Sequence, residues 1–158
     1  MKNILSTALT AAMMLGVGYS AVQVANAGTR ERECLALNVY HEARGEGILG
    51  QIAVAQVTMN RVHNDYWPDS VCDVVWQPGK FSWTEDGRSD RPTNHDAWLI
   101  AQSVADSVYW EYEEDPTDGA VFYHATRIAQ PRWAQHKSTH ESITIGSHVF
   151  YTWTGNWN

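Results

Sequence analysis

The stretch ILGQIAVAQVTMNRV, residues 48–62, limits the fold more than any other part of the chain. Ile48, Ile52, Ala55, Met59 and Val62 recur at helical spacing on one side, and apolar residues spill over to Val54 and Val57. A helix that is apolar beyond a single stripe is largely buried. The neighbouring segments also read as helices. RERECLALNVYHEAR, residues 30–44, brings Cys34, Leu35, Leu37 and Val39 before Gly45, which predicts a helix ended by a glycine cap. PDSVCDVVWQP predicts a short helix capped by Asp69 or Ser70 and stopped before Pro78. TNHDAWLIAQSVADSVYW repeats the pattern of a cap followed by an amphipathic helix, with Trp98, Ala101, Ala105 and Val108 in one stripe.

The later part changes character. GAVFYHA and TIGSHVFYTW are rich in β-branched and aromatic residues and bounded by turn formers, so each reads as a short strand. The acidic run EYEEDPTD between them and the last helix reads as a solvated helix exit. The expected fold is α+β and mostly helical, with a small β element near the C-terminus and no linker dividing it.

The first 27 residues stand apart. Lys2 precedes the apolar stretch ILSTALTAAMMLGVGYSAV, which closes on a small-residue pattern at Ala27. That arrangement predicts a secretory signal peptide, residues 1–27, with an uncleaved membrane anchor as the alternative. Residues 28–158 then form one domain of ordinary size. They hold all 18 acidic residues and 10 of the 11 Lys and Arg, a formal charge of −8. No basic patch marks a nucleic-acid binder. An anionic polymer would be held by local contacts rather than by bulk attraction. In an oxidising compartment Cys34 and Cys72 are expected to pair, the alternative being two buried thiols.

Within VYHEARGEG the question is whether polar residues crowded at a helix end form a solvated cap or a site. Glu42 falls in the last turn, against the negative end of the helix dipole, which disfavours a carboxylate. Partial burial would raise its proton affinity further. A glutamate kept protonated near neutrality suits general acid catalysis. The plain alternative is an exposed glutamate paired with Arg44 or a lysine.

EARGE at 42–46, GQIAVAQVTMNRV at 50–62, QPGKFSW at 77–83, DPTDGAVFYH at 115–124 and IGSHVFY at 145–151 together resemble the SleB/CwlJ-like family of cell-wall hydrolases. The resemblance implies a lysozyme-like, mostly helical fold related to lytic transglycosylases, and it implies that the first glutamate of EARGE, Glu42, is catalytic. A glycosidase with two working carboxylates holds them roughly 5–5.5 Å apart if retaining and about 6.5–9.5 Å apart if inverting. A lytic transglycosylase needs one acid/base, which protonates the glycosidic oxygen and then takes the proton of the sugar's own C6 hydroxyl. On that reading Glu46 supports its loop through Arg44 or backbone N–H groups rather than reacting.

The resemblance sets the remaining candidates beside the cleft. Gln77 and Ser82 either hydrogen-bond an N-acetyl group or belong to the Pro78–Gly79 turn, while Phe81 reads as core. Strand alternation separates Tyr123 from Phe122. Tyr123 is the one expected to face the cleft, where it would bond substrate or orient Glu42, although a core tyrosine fits the pattern too. Trp133 is a sugar platform or a buried ring. Eight tryptophans suit stacking on sugars and equally suit a core.

The expected substrate-binding set is therefore Glu46, Gln77, Ser82, Tyr123 and Trp133, with Glu42 catalytic. Its ligand is a peptidoglycan strand cut at the MurNAc–GlcNAc β-1,4 bond, with no metal or cofactor. The expected enzyme is an exported monomer, periplasmic or in the cell wall. One rival is a zinc amidase drawing three ligands from His41, His124, His136, His140 or His148, though no H-E-x-x-H pattern is present. The other is a wall-binding module without catalysis.

Overall fold

A computed structural model describes residues 26–155, and the expected signal peptide lies almost wholly outside them. The described chain begins in helix α1, residues 26–43. It continues through α2 (Ile48–Val62), α3 (Val71–Val75), a 3-10 turn at Ser82–Glu85 and α4 (His95–Tyr109). Strand β1 (Phe122–Ala125), a second 3-10 turn at Arg132–Gln135, β2 (Thr139–Ile145) and β3 (His148–Trp153) complete it. Among the described residues no helix is long and apolar enough to cross a membrane.

Helix α2 is the axis of the molecule, and 11 of its 15 residues are buried. Leu35, Val39 and Tyr40 of α1, Ile52, Ala55 and Met59 of α2, and Ala101, Val104 and Val108 of α4 form one apolar core with Phe81 and Trp83. A smaller core lies on the other side of α2. There Ala53, Val54 and Val57 meet Ala43, Ala120, Ile145 and Phe150 and seat the sheet. The apolar spill beyond the main stripe thus has a partner of its own. The sheet is antiparallel in the order β1-β3-β2, with Tyr123 opposite Phe150.

Side-chain caps open two of the helices. Ser70 Oγ accepts the Asp73 N–H and opens α3, and Asn94 Oδ1 accepts the Ala97 N–H at 3.0 Å and opens α4. Three expectations need correction. Gly45 does not end α1 as a left-handed cap. The chain turns instead on a bond from the Glu46 N–H to the Ala43 carbonyl at 2.9 Å, and positive φ falls elsewhere. TIGSHVFYTW is not one strand but the end of β2, a turn at Gly146–Ser147, and β3. The polar segment THESITI, with five consecutive exposed positions, supplies β2.

The acidic run is not wholly solvated either. Asp115 is a hub that accepts from the Thr117 N–H and hydroxyl, the Gly119 N–H and Asn60 Nδ2 of α2. Burial alone would raise its carboxyl. The hydrogen bonds from Thr117 and Asn60 outweigh burial and hold it below the ordinary range.

Cys34 of α1 and Cys72 of α3 are joined in a disulfide, with Cα atoms 5.2 Å apart. The bridge fixes α3, and hence the start of the QPGKFSW loop, against α1.

Candidate active site

The end of α1, the loop leading into the first 3-10 turn, β1 and the β2–β3 turn surround a cleft of about 790 Å3. Glu42, Glu46, Ser82, Tyr123 and Trp133 all line it. Gln77 does not. It sits at the start of its turn, where its carbonyl accepts the Lys80 N–H, and the cleft takes Gly79, Lys80, Ser82 and Trp83 from that segment instead. Phe81 points away into the core, 3 % exposed.

Glu42 occupies the last turn of α1, so its position is set by a rigid helix rather than by a loop. Its Oε2 accepts a hydrogen bond from the Tyr123 hydroxyl at 3.1 Å. Burial raises the proton affinity of the carboxyl above the ordinary range, against the opposing effects of the Tyr123 bond and the charges of His41 and Arg61. Tyr123 is itself pushed well above the usual phenol range, by burial first and by the neighbouring carboxylate second. It therefore remains a donor at any working pH. With Oε2 engaged as an acceptor, the proton of the neutral acid belongs on Oε1, which makes no hydrogen bond among the described residues.

Beneath this pair lies Arg61 of α2, 6 % exposed. Its Nε donates to the Val121 carbonyl at 2.8 Å, and its guanidinium packs against the Phe81 and Phe122 rings at 5.3 and 5.8 Å. The charge of Arg61 favours the ionised forms of both Glu42 and Tyr123. It moderates what burial alone would do.

Glu46 has a different role. Its Oε2 accepts the Ser147 N–H at 3.0 Å and its Oε1 accepts the Ser147 hydroxyl. These bonds, the hydroxyl's above all, hold its carboxyl below the ordinary range despite some burial. It braces the β2–β3 turn and not the loop beside Arg44, whose guanidinium lies 4.8 Å over the Tyr40 ring. Two glycines make this possible. A Cβ on Gly146, which has φ +57°, would lie 2.0 Å from the Glu46 carboxylate, and one on Gly50 would lie 2.9 Å from Glu46 Cβ.

One wall of the cleft is aromatic. His41 stacks on Trp83 with ring centroids 4.4 Å apart, and its Nε2 donates to the Asp90 carbonyl at 2.9 Å. Trp83 Nε1 donates to Asn38 Oδ1, and Asn38 Nδ2 donates to Thr58 Oγ1. This buried chain of polar contacts fixes the wall to both α1 and α2. Opposite, Trp133 rests on Phe122 at 5.2 Å and meets Tyr151 at 5.3 Å. Lys80 and Arg127 bring positive charge to the rim of an acidic protein.

His41, Trp83 and His148 were not assigned to the substrate site from sequence, although motif blocks contain Trp83 and His148 and His41 directly precedes one. Their neighbours in the chain drew the assignment, because nothing local shows which side of a loop faces the cleft. Among the described residues no three His, Cys, Asp or Glu side chains are grouped to hold a metal ion. His124 Nε2 pairs with the Tyr151 hydroxyl, and His136 Nδ1 pairs with the Ser138 hydroxyl.

Comparison with known proteins places the chain in a family. Residues 45–151 match the family described as Cell Wall Hydrolase, a match that begins three residues after Glu42. The spore cortex-lytic enzyme of Bacillus cereus is 34% identical over 119 residues, 75% of this chain and 42% of that protein. That of Bacillus subtilis is 33% identical over 117 residues, 73% of this chain and 35% of that protein. The chain thus spans less than half the length of these curated relatives. The crystal structure of the catalytic domain of the Bacillus cereus SleB protein is similar with a TM-score of 0.62 at 30% identity, covering 78% of this chain and 91% of that one. The catalytic domain of the germination-specific lytic transglycosylase SleB from Bacillus anthracis gives 0.60 at 30%, covering 77% and 93%. With the family model matched over most of the described chain and the fold shared with two SleB catalytic domains, the chain belongs to the cell wall hydrolase family, whose relatives here include the spore cortex-lytic enzymes.

Proposed function

We propose that this protein cuts peptidoglycan glycan strands at the MurNAc–GlcNAc β-1,4 bond as a lytic transglycosylase, with Glu42 as the single acid/base. The observation that carries this is the unequal state of the two cleft glutamates. Burial makes Glu42 hold its proton more tightly than an ordinary carboxyl, and its Oε1 has no hydrogen-bond partner among the described residues. Glu46 has both oxygens taken by Ser147 and favours the charged form. Neither a second nucleophile nor a water-activating base is then available from Glu46.

In the first half of the reaction Glu42 gives its proton to the bridging oxygen, and the C1–O bond breaks with its electron pair leaving on that oxygen. Positive charge develops at C1, and the new Glu42 carboxylate stabilises it across the cleft. In the second half Glu42 takes the proton of the same sugar's C6 hydroxyl, and O6 closes on C1. Atoms balance without water, and Glu42 ends protonated, ready for the next cut. The Tyr123 bond and the Arg61 charge lower the cost of the intermediate carboxylate. The His41–Trp83 and Trp133 walls supply flat apolar faces for the sugar rings.

The domain that acts is residues 28–158, working as a monomer outside the cytoplasm after removal of residues 1–27. The Cys34–Cys72 bridge supports an oxidising compartment. Mass spectrometry of peptidoglycan digested by residues 28–158 tests the reaction. Anhydromuramyl ends, one water lighter than hydrolysed ends, are expected. Reducing ends alone would replace transglycosylation by hydrolysis, and free stem peptides with intact strands would replace both by amidase activity.

A further inference from the structure

His148 opens β3 and lines the catalytic cleft, yet the proton transfers set out above make no use of it. Its backbone is held on both sides, because β3 is the central strand and His148 pairs with Ala125 of β1 and Ile145 of β2. The ring is 8 % exposed and meets Tyr123, the partner of Glu42, edge-on at 5.2 Å. A side chain fixed this firmly, one ring away from the acid, is placed to touch the sugar that the acid cuts.

The two ring nitrogens differ. Nδ1 is shielded from solvent, has no hydrogen-bond partner, and faces Glu46 Oε1 at 3.9 Å, beyond bonding distance. Burial lowers the proton affinity of the ring below the ordinary histidine range. The charge of Glu46 opposes this, Arg127 and His124 reinforce it, and Tyr123 stays a neutral phenol. The imidazole is therefore neutral at neutral pH and carries one proton. That proton belongs on Nδ1, because an N–H turned to a carboxylate is attracted and a lone pair there is repelled. Nε2 then holds the lone pair, makes no hydrogen bond among the described residues, and is the nitrogen left for the cleft. His124, which also lines the cleft, offers no such atom, since its Nδ1 donates to the Ala125 carbonyl and its Nε2 accepts from the Tyr151 hydroxyl. Glu46 offers none either, with both oxygens on Ser147.

We propose that His148 is a specificity residue whose Nε2 accepts a hydrogen bond from the acetamido N–H of the sugar beside the scissile bond. This rests on the glycan-cleaving reading above. A neutral acceptor reads an amide N–H without attracting a cation, whereas a free carboxylate at the same place would favour a sugar bearing an ammonium group. Lys80 and Arg127 at the rim add to the bias against such an amino sugar. The site thus selects N-acetylated glycan over de-N-acetylated glycan.

The test compares wild type, His148→Leu and His148→Gln on N-acetylated peptidoglycan strands. Leucine removes the acceptor and should raise KM about three- to tenfold at unchanged kcat, as expected for one lost hydrogen bond that serves binding. Glutamine returns an amide oxygen near the place of Nε2 and should restore KM to near the wild-type value. Protonation turns Nε2 into a donor, so wild-type KM should climb as pH falls below the ordinary histidine range, and His148→Gln should lack that climb. NMR of the wild-type ring nitrogens should show the proton on Nδ1, and the disaccharide GlcNAc–MurNAc should move the Nε2 signal while its de-N-acetylated counterpart does not. If His148→Leu fails to fold, the His148→Gln profile and the NMR titration decide. A folded leucine variant of lower Tm with KM unmoved, an Nε2 signal untouched by the disaccharide, or one moved equally by both sugars would overturn the proposal while leaving glycan cleavage in place. Wild type that cuts no glycan would overturn the reading beneath it.

Discussion

Replacing Glu42 by glutamine separates the chemistry from the scaffold, because the amide keeps the shape and an oxygen to accept the Tyr123 hydroxyl. What it loses is the proton on Oε1. General acid catalysis contributes about 10²–10⁴-fold. The variant should therefore lyse peptidoglycan at least about a hundred times more slowly, a barrier higher by about 2.7 kcal/mol. Stability should move the other way. In the wild type burial raises Glu42 above its unfolded value. The folded state thus binds the proton more tightly, and the stability this adds below the unfolded value is lost as pH rises through the folded one. Glutamine carries no such penalty, so the variant should melt at or above the wild-type temperature at neutral pH, with the difference shrinking in acid. Turbidity loss of purified cell walls and thermal melts across pH 4–8 measure both. The same titration gives wild-type lysis an alkaline limb, since only protonated Glu42 can begin the reaction, and the limb should be absent from residual Glu42→Gln activity. A variant that loses stability, or one that keeps a tenth of the activity with the limb intact, would refute the assignment.

Three other perturbations test the surroundings of that group. Tyr123→Phe removes a bond that favours the carboxylate, so the alkaline limb of lysis should shift to higher pH while the protein stays folded; an unmoved limb would remove Tyr123 from the acid's environment. Gly146→Ala forces a side chain at φ +57° into the Glu46 carboxylate and should destabilise by about 1–3 kcal/mol, seen as a lower denaturation midpoint. Reduction of Cys34–Cys72 opens a link of sequence separation 38, worth roughly 3–4 kcal/mol in the chain-entropy model, and should lower Tm measurably; an unchanged Tm would mean that the bridge is not formed in the purified protein.

The helices were legible because their signals are local. The period of 48–62, the Ser70 and Asn94 caps and the stripe through Ala101, Ala105 and Val108 need no partner to be recognised. β2 was not legible, because the exposed run of THESITI lacks the alternation of a half-buried strand and pairs only because β3 lies beside it. Asp115 was hidden in the same way. Its acidic neighbours suggested solvent, and the partner that ties it to α2, Asn60, is 55 residues away. Glu42 and Tyr123 were found through motif blocks, whereas the depth of the cleft and the exclusion of Gln77 from it depend on how a turn is oriented.

The two glutamates of HEARGE show why spacing alone could not assign their roles. They are four residues apart and begin with the same chemistry, yet α1 ends between them. Glu42 stays on the helix and meets a phenol 81 residues along the chain. Glu46 falls past the turn and meets a hydroxyl and a backbone N–H 101 residues along. One bond from Tyr123 cannot offset the desolvation of Glu42, so that carboxyl favours its proton. Two bonds from Ser147 more than offset the slighter burial of Glu46, so that carboxyl favours its charge. A carboxyl that favours its proton and one that favours its charge thus arise from one residue type through a difference of one hydrogen bond and of burial. The glycines that permit the brace, Gly50 and Gly146, are as necessary to this division as either glutamate, because any side chain at Gly146 would evict the carboxylate from Ser147 and leave a second free carboxylate in the cleft.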